Sequence, residues 1–148
     1  MITIKVETLI PATPKEVWSC VSDISSHTEW MMDAERIDFV TEQRSGVGTA
    51  FDCLTKVGPI KMTDRMEVTQ WRDNAAMGVR HSGLVTGTGV FTLTAEGDQT
   101  RFSWQEQLGF PRHLGGRLTE FVAKPILTKL WEGNLRRLNA QVVDSLAA

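Results

Sequence analysis

The chain has no tyrosine, two cysteines, three histidines and no long apolar run. Each shortage removes a class of function. Without tyrosine, phenol chemistry is closed to it. Cys20 and Cys53 cannot build a disulfide framework or a four-ligand zinc site, and two free thiols fit a reducing compartment. His27, His81 and His113 lack the spacing of metal ligands, so no metal site and no other cofactor is expected. No window approaches the roughly 18 consecutive apolar residues of a membrane span. The opening MITIKVETLI alternates and does not read as a secretory leader. Sixteen basic and eighteen acidic side chains leave a net charge of -2, without the positive field that nucleic-acid binding needs. From these absences a cytoplasmic protein is expected, with no nucleic-acid partner and no stable membrane insertion.

What is present is ordinary in amount and unusual in kind. At 148 residues, 41% hydrophobic and 23% charged, residues 1–148 read as one globular domain. Five Trp, six Phe and six Met make its large apolar surface almost entirely greasy.

Ile2, Ile4, Val6 and Ile10 share one parity, which predicts a half-buried strand ended by Pro11. Thr13-Pro14-Lys15-Glu16 combines a capping box with proline at the first helical position and predicts a helix over 14–22. Ser26-His27-Thr28-Glu29 repeats the capping pattern and predicts a second short helix carrying Trp30, Met31 and Met32. Strand-length runs then follow near 35–42, 47–57, 60–71, 75–82, 86–95 and 100–108, separated by turn signals such as Gly58-Pro59 and Glu96-Gly97-Asp98. Short connections make each strand an antiparallel neighbour of the last. The remainder, 117–146, reads as one helix with an apolar stripe of Leu118, Phe121, Val122, Ile126, Leu130, Leu135, Leu138 and Val142, and with Pro125 expected to kink it or reset its start. The fold class is α+β: a seven-stranded sheet covered by the long helix. A sheet that size curls and leaves more concave surface than one helix fills, so an internal cavity is expected.

Several short motifs in this order resemble a known group. They are Pro11-x-x-Pro14-x-x-Val17-Trp18-x-x-x-x-Asp23, Glu29-Trp30, Gly46-Val47-Gly48-Thr49, Gly58 with Asp64, Thr100-x-Phe102-x-Trp104-x-Glu106, Pro111-x-x-x-Gly115-Gly116 and Asn134-Leu135-x-x-Leu138. Along essentially the whole chain the pattern resembles the START-like (SRPBCC) superfamily, of the polyketide cyclase/dehydrase and lipid-transport type. The resemblance implies a helix-grip fold, in which a curved antiparallel sheet wraps a long C-terminal helix around a hydrophobic pocket. It also places the segment of Trp30, Met31 and Met32 beside the pocket entrance. Function stays open, because the fold hosts carriers, enzymes and interaction proteins.

Strand parity names the expected lining. Phe51 and Cys53 share a face, as do Ile60, Met62, Asp64, Met66 and Val68. Met77, Val79 and His81 share another, and Gly87, Gly89, Phe91 and Leu93 a fourth. Phe102, Trp104, Glu106 and Leu108 form the cleanest alternation. From the long helix Phe121, Ile126, Leu130 and Trp131 are candidates to face the cavity. Buried apolar residues usually just pack, and strand glycines often mark bends or bulges. Asp64, His81 and Glu106 interrupt the apolar face. An apolar wall is expected to raise the pKa of Glu106 and lower that of His81, which fits either a ligand-contacting or catalytic pair or satisfied structural groups. Asp64, in a motif widespread in the family, leans to structure.

Other signals carry less. Gly46-x-Gly48 and Gly87-x-Gly89 lack the third glycine of a nucleotide fingerprint. Cys53 with His81 as nucleophile and base is outweighed by a simple core cysteine. Segment 112–137 carries six basic side chains against Glu120 and Glu132, which reads as a solvated face more readily than as a lipid contact.

The leading expectation is a carrier or sensor of a small hydrophobic molecule (lipid, polyketide or isoprenoid-like), with Trp104 placed to report binding. The alternative is a polyketide cyclase, aromatase or dehydratase using Glu106 and His81 as acid and base. Cyclase relatives tend to use a pocket arginine or tyrosine, whereas here tyrosine is absent and Arg65 and Arg80 point outward by parity. A protein-interaction module of the same fold is the third.

Overall fold

Ile4, Val6 and Ile10 point inward and Lys5 and Glu7 outward along β1 (Ile2–Ile10), so the alternation in the sequence is the alternation in space. The computed structural model describes residues 1–147. The chain turns into α1 (Pro14–Val21) through a reciprocal cap: Thr13 Oγ1 accepts the Glu16 amide at 3.3 Å and Glu16 Oε1 accepts the Thr13 amide at 2.9 Å. Val17, Trp18 and Val21 form its buried face.

The second capping box does not form. Ser26 Oγ instead donates to the Asp23 carbonyl at 2.7 Å, within a 3-10 turn at Ile24–Ser26. One turn of helix, α2 (His27–Trp30), follows, and Met31 and Met32 lie beyond its end.

Six further strands complete one sheet: β2 (Ala34–Phe39), β3 (Ala50–Val57), β4 (Ile60–Arg72), β5 (Ala76–Ser82), β6 (Thr86–Glu96) and β7 (Gln99–Gly109). They lie in the order β1-β7-β6-β5-β4-β3-β2, antiparallel throughout. In β7, Phe102, Trp104, Glu106 and Leu108 are all buried, as the alternation requires. In β4 the parity breaks. Val68 pairs with Val79 but Gln70 with Gly78, so a bulge brings Trp71 opposite Met77. Its ring meets that of Trp18 edge-on at 5.2 Å.

α3 (Arg117–Ala147) runs unbroken through Pro125. The carbonyl that Pro125 leaves without a donor belongs to Phe121, on an exposed stretch where water can serve it. Leu127, Trp131, Leu135, Leu138 and Val142 form the buried stripe that packs over β1 and the sheet's concave face. The expected stripe fails in its first half, where Phe121 is 80% exposed, Leu118 71%, and Val122 and Ile126 both lie open. Met1 and Ile2 share a groove with this end of the helix, and the Met1 ammonium pairs with Glu120 Oε1 at 2.8 Å. The core therefore sits between the sheet and the later turns of α3. At its centre Trp30 is fully buried, its ring 5.8 Å from Phe91 and 6.0 Å from Trp104.

Candidate functional site

A cavity of about 100 Å³ lies between the sheet and α3. Strand parity puts Phe51 and Cys53 of β3, Met66 of β4, and Met77 and Val79 of β5 on its wall. Phe91 of β6 and Trp104 of β7 continue it, and Met31, after α2, covers it together with Trp131 of α3. Trp104 and Trp131 stack at 4.5 Å and 17°.

Eleven expected lining residues lie elsewhere: Ile60 is exposed at the β3–β4 turn, Gly87 lies off the cavity, and Val68, Leu93, Phe102 and Leu108 are core. Trp30 is core, behind the rings of Phe91 and Trp104, and Met62 and Leu130 pack against the core's margin. Phe121 and Ile126 are on the surface, because the first turns of α3 stand off the sheet. Phe121 instead borders the outer groove, a furrow of about 1070 Å³ open to solvent and shared with Lys124 and Lys129. That furrow is larger than the cavity, but a wide opening to water leaves a ligand little surface to bury.

The polar end of the cavity is built by register. His81 on β5 lies between Asp64 on β4 and Glu106 on β7. Its Nδ1 is 2.8 Å from Asp64 Oδ2 and its Nε2 2.9 Å from Glu106 Oε2. Carboxylate oxygens accept, so both ring nitrogens donate and the ring is an imidazolium. Glu106 reaches His81 by crossing Gly89, its register partner on β6. A Cβ on Gly89 would stand 2.1 Å from Glu106 Oε2, so only glycine leaves the carboxylate its path. Gly87 has φ +129 and a Cβ there would meet the Gln107 carbonyl at 1.8 Å. These two glycines are more than markers of a bend.

Burial works against charge on His81, but hydrogen bonds to Asp64 and Glu106, and then their negative charge, outweigh it and raise the pKa to about 10. This reverses the expected lowering. The apolar wall is real, but two carboxylates distant in sequence sit against the ring. Unfolded histidine releases its proton near 6.5, so the stabilisation is complete below that pH and is lost as pH rises through about 10. The melting temperature is therefore expected to fall steadily between pH 7 and 9. Cys53, whose thiol burial pushes up to about 11, adds to the loss only above its ordinary range near 9. A Cys53→Ala variant should keep the decline over pH 7–9, and a flat wild-type profile there would contradict the bridged imidazolium.

Sequence reasoning misses Ala34, Ile37, Thr55 and Val90 on the wall and, with more consequence, two polar residues. Asp33, in the loop after α2, accepts Trp131 Nε1–H at 3.1 Å and Asn134 Nδ2–H at 2.8 Å. Asn134 Oδ1 in turn accepts the Met32 amide at 3.1 Å, and Arg137 Nε donates to the Trp30 carbonyl at 3.1 Å. The loop over the cavity is thus tied to α3. His27 also lines the cavity and donates from Nε2 to the Val21 carbonyl at 2.7 Å. Burial lowers its pKa more than that bond raises it, so the ring is neutral. A lone Asp after three large apolar residues carries no signal of this role. Asn134 does stand out, within Asn134-Leu135-x-x-Leu138.

The family described as polyketide cyclase/dehydrase and lipid transport matches residues 1–144. The chain belongs to that family. Solved structures give the same fold at low identity. A protein from Thermus thermophilus superposes with a TM-score of 0.84 at 18% identity, over 97% of this chain and 99% of that one. A START superfamily protein from Mycobacterium smegmatis gives 0.75 at 12%, over 96% and 97%. Norcoclaurine synthase from Thalictrum flavum, in complex with dopamine and hydroxybenzaldehyde, gives 0.71 at 15%, over 97% and 87%. No curated protein matches in sequence.

For this member of the polyketide cyclase/dehydrase and lipid-transport family, the chemistry on offer is narrow. Cys53 keeps its proton at neutral pH and both nitrogens of His81 are occupied, so a cysteine nucleophile with a histidine base is not assembled. Arg65 pairs with Asp52, and Arg80 Nη2 with Glu67 Oε2 at 2.9 Å, both on the outer face. Among the described residues no group of His, Cys, Asp and Glu is arranged to hold a metal ion, and no helix is long and apolar enough to cross a membrane.

Proposed function

We propose that this protein binds a small hydrophobic ligand in the internal cavity and acts as its carrier or sensor. The supporting observation is an internal space walled by Phe, Trp and Met side chains with polar groups gathered at one end, the usual make-up of a small-molecule site. Family and fold support the same reading. Size narrows it. At about 100 Å³ the cavity is below the roughly 300–1,000 Å³ of drug-sized pockets, and near the about 150 Å³ that takes benzene. A single ring suits it. A lipid, polyketide or isoprenoid needs Met31, Met66 and Met77 to change rotamer, which thioether side chains do readily. Dopamine and hydroxybenzaldehyde, held by the Thalictrum enzyme, are single-ring molecules in the same architecture.

A panel of apolar ligands, followed by tryptophan fluorescence and thermal melting, tests this. A true ligand at about 100 times its Kd adds about 2.7 kcal/mol and raises the melting temperature by on the order of 5 °C. A panel spanning single rings to lipids that moves neither signal removes the reading.

One observation favours a second reading, a cyclase or dehydratase: the carboxylate–imidazolium–carboxylate chain inside the cavity. The protonated ring is the acid and a carboxylate the base, with Glu106 holding the ring in place. Full turnover by Glu106→Gln on a substrate found for the wild type would remove that role.

A further inference from the structure

Among the described residues, the polar end of the cavity has hydrogen-bond acceptors to spare and no side-chain N–H left free. His81 spends both N–H groups on Asp64 Oδ2 and Glu106 Oε2. Trp104 Nε1 donates to Glu106 Oε1 at 3.3 Å, and Trp131 Nε1 to Asp33 Oδ2 at 3.1 Å. Asp64 Oδ1 is left: it is sealed from solvent and accepts no hydrogen bond.

Charge points the same way. Three carboxylates, Asp33, Asp64 and Glu106, face the cavity against the one extra proton on His81, leaving two net negative charges. The total is the same whether that proton rests on the ring or on a carboxylate. Among the described residues no lysine or arginine lines the cavity. The remaining wall includes the rings of Phe91, Trp104 and Trp131, whose electron-rich faces attract cations. A neutral hydrocarbon would leave Asp64 Oδ1 orphaned, and an anion would be repelled.

We propose that the ligand is a small apolar amine, bound as its ammonium ion, with an N–H on Asp64 Oδ1 and its apolar body against Trp104 and Trp131. This rests on the reading of the cavity as a ligand site and adds the chemical class. Size limits the body to about one ring, since a cavity of about 150 Å³ takes benzene.

Three near-isosteric probes separate the possibilities: benzylamine, benzyl alcohol and toluene, titrated at pH 7 with the indole N–H resonances followed by NMR. Benzylamine is expected to bind at least tenfold tighter than toluene and tighter than benzyl alcohol, with Trp104 and Trp131 shifting. Asp64→Asn should bring benzylamine to the level of toluene while toluene still binds, which shows the cavity intact. If that variant does not fold, the wild-type ranking decides alone. Toluene equal to benzylamine overturns the amine but keeps the cavity as a ligand site. Benzyl alcohol equal to benzylamine overturns the charge. Absence of binding by all three, or benzylamine moving only surface signals, overturns the amine and counts against the cavity reading as well.

Discussion

Replacing His81 with leucine is expected to lower stability by about 3–5 kcal/mol at pH 7, the usual cost of removing one partner from a buried ionic group. His81 and Glu106 are each only 6% exposed, so little solvent remains to screen what is left behind. Leucine fills much of the ring's volume, and the loss comes mainly from Asp64 and Glu106 facing each other without the cation that bridged them. That origin makes the deficit depend on pH. In the variant two carboxylates repel, and this penalty falls away as acid protonates one of them. The gap between the two proteins should therefore shrink from pH 7 to pH 4.5 in urea titrations. Neutralising both acids in the same background, with Asp64→Asn and Glu106→Gln, should recover part of the loss at pH 7. A deficit of equal size at both pH values would assign His81 to packing alone.

Trp131→Ala should cost a similar amount, about 3–5 kcal/mol, as expected for removing a large aromatic from a core. Trp131 is 5% exposed, stacks on Trp104 and donates to Asp33, so its loss removes a ring contact and one of the donors that hold Asp33. It also enlarges the cavity. A two-ring hydrocarbon such as naphthalene is expected to raise the melting temperature of the variant and leave the wild type unchanged. Equal responses would mean that the cavity does not set the size of what binds.

Much of this site is legible in the sequence where one periodicity runs without interruption. Along β7 every second residue from Phe102 to Leu108 is buried, and parity alone puts Trp104 and Glu106 on the wall. The same reasoning places Met77, Val79 and His81 together. It fails where structure depends on partners remote in the chain. The β4 bulge that turns Trp71 inward belongs to the pairing with β5 and leaves no mark on local parity. The apolar stripe of α3 continues through Leu118, Phe121 and Ile126, but whether a stripe is covered depends on how far the sheet extends beneath it. The charge of His81 is hidden from the sequence for the same reason. Burial is readable and points down, whereas Asp64 and Glu106 lie 17 and 25 positions away and reach the ring only through the strand register. Asp33 depends on Trp131 and Asn134, 98 and 101 positions distant.

That the cavity, and not the larger outer groove, is the ligand site is tested most directly by the five indole N–H signals of nitrogen-labelled protein during titration with a single-ring ligand. Trp104 and Trp131, which line the cavity, should shift most, while Trp18 and Trp71, packed against each other outside it, stay still. Fixed indole signals, with movement confined to the backbone of Met1, Phe121 and Lys124, would place binding in the groove between β1 and α3 and contradict an internal site.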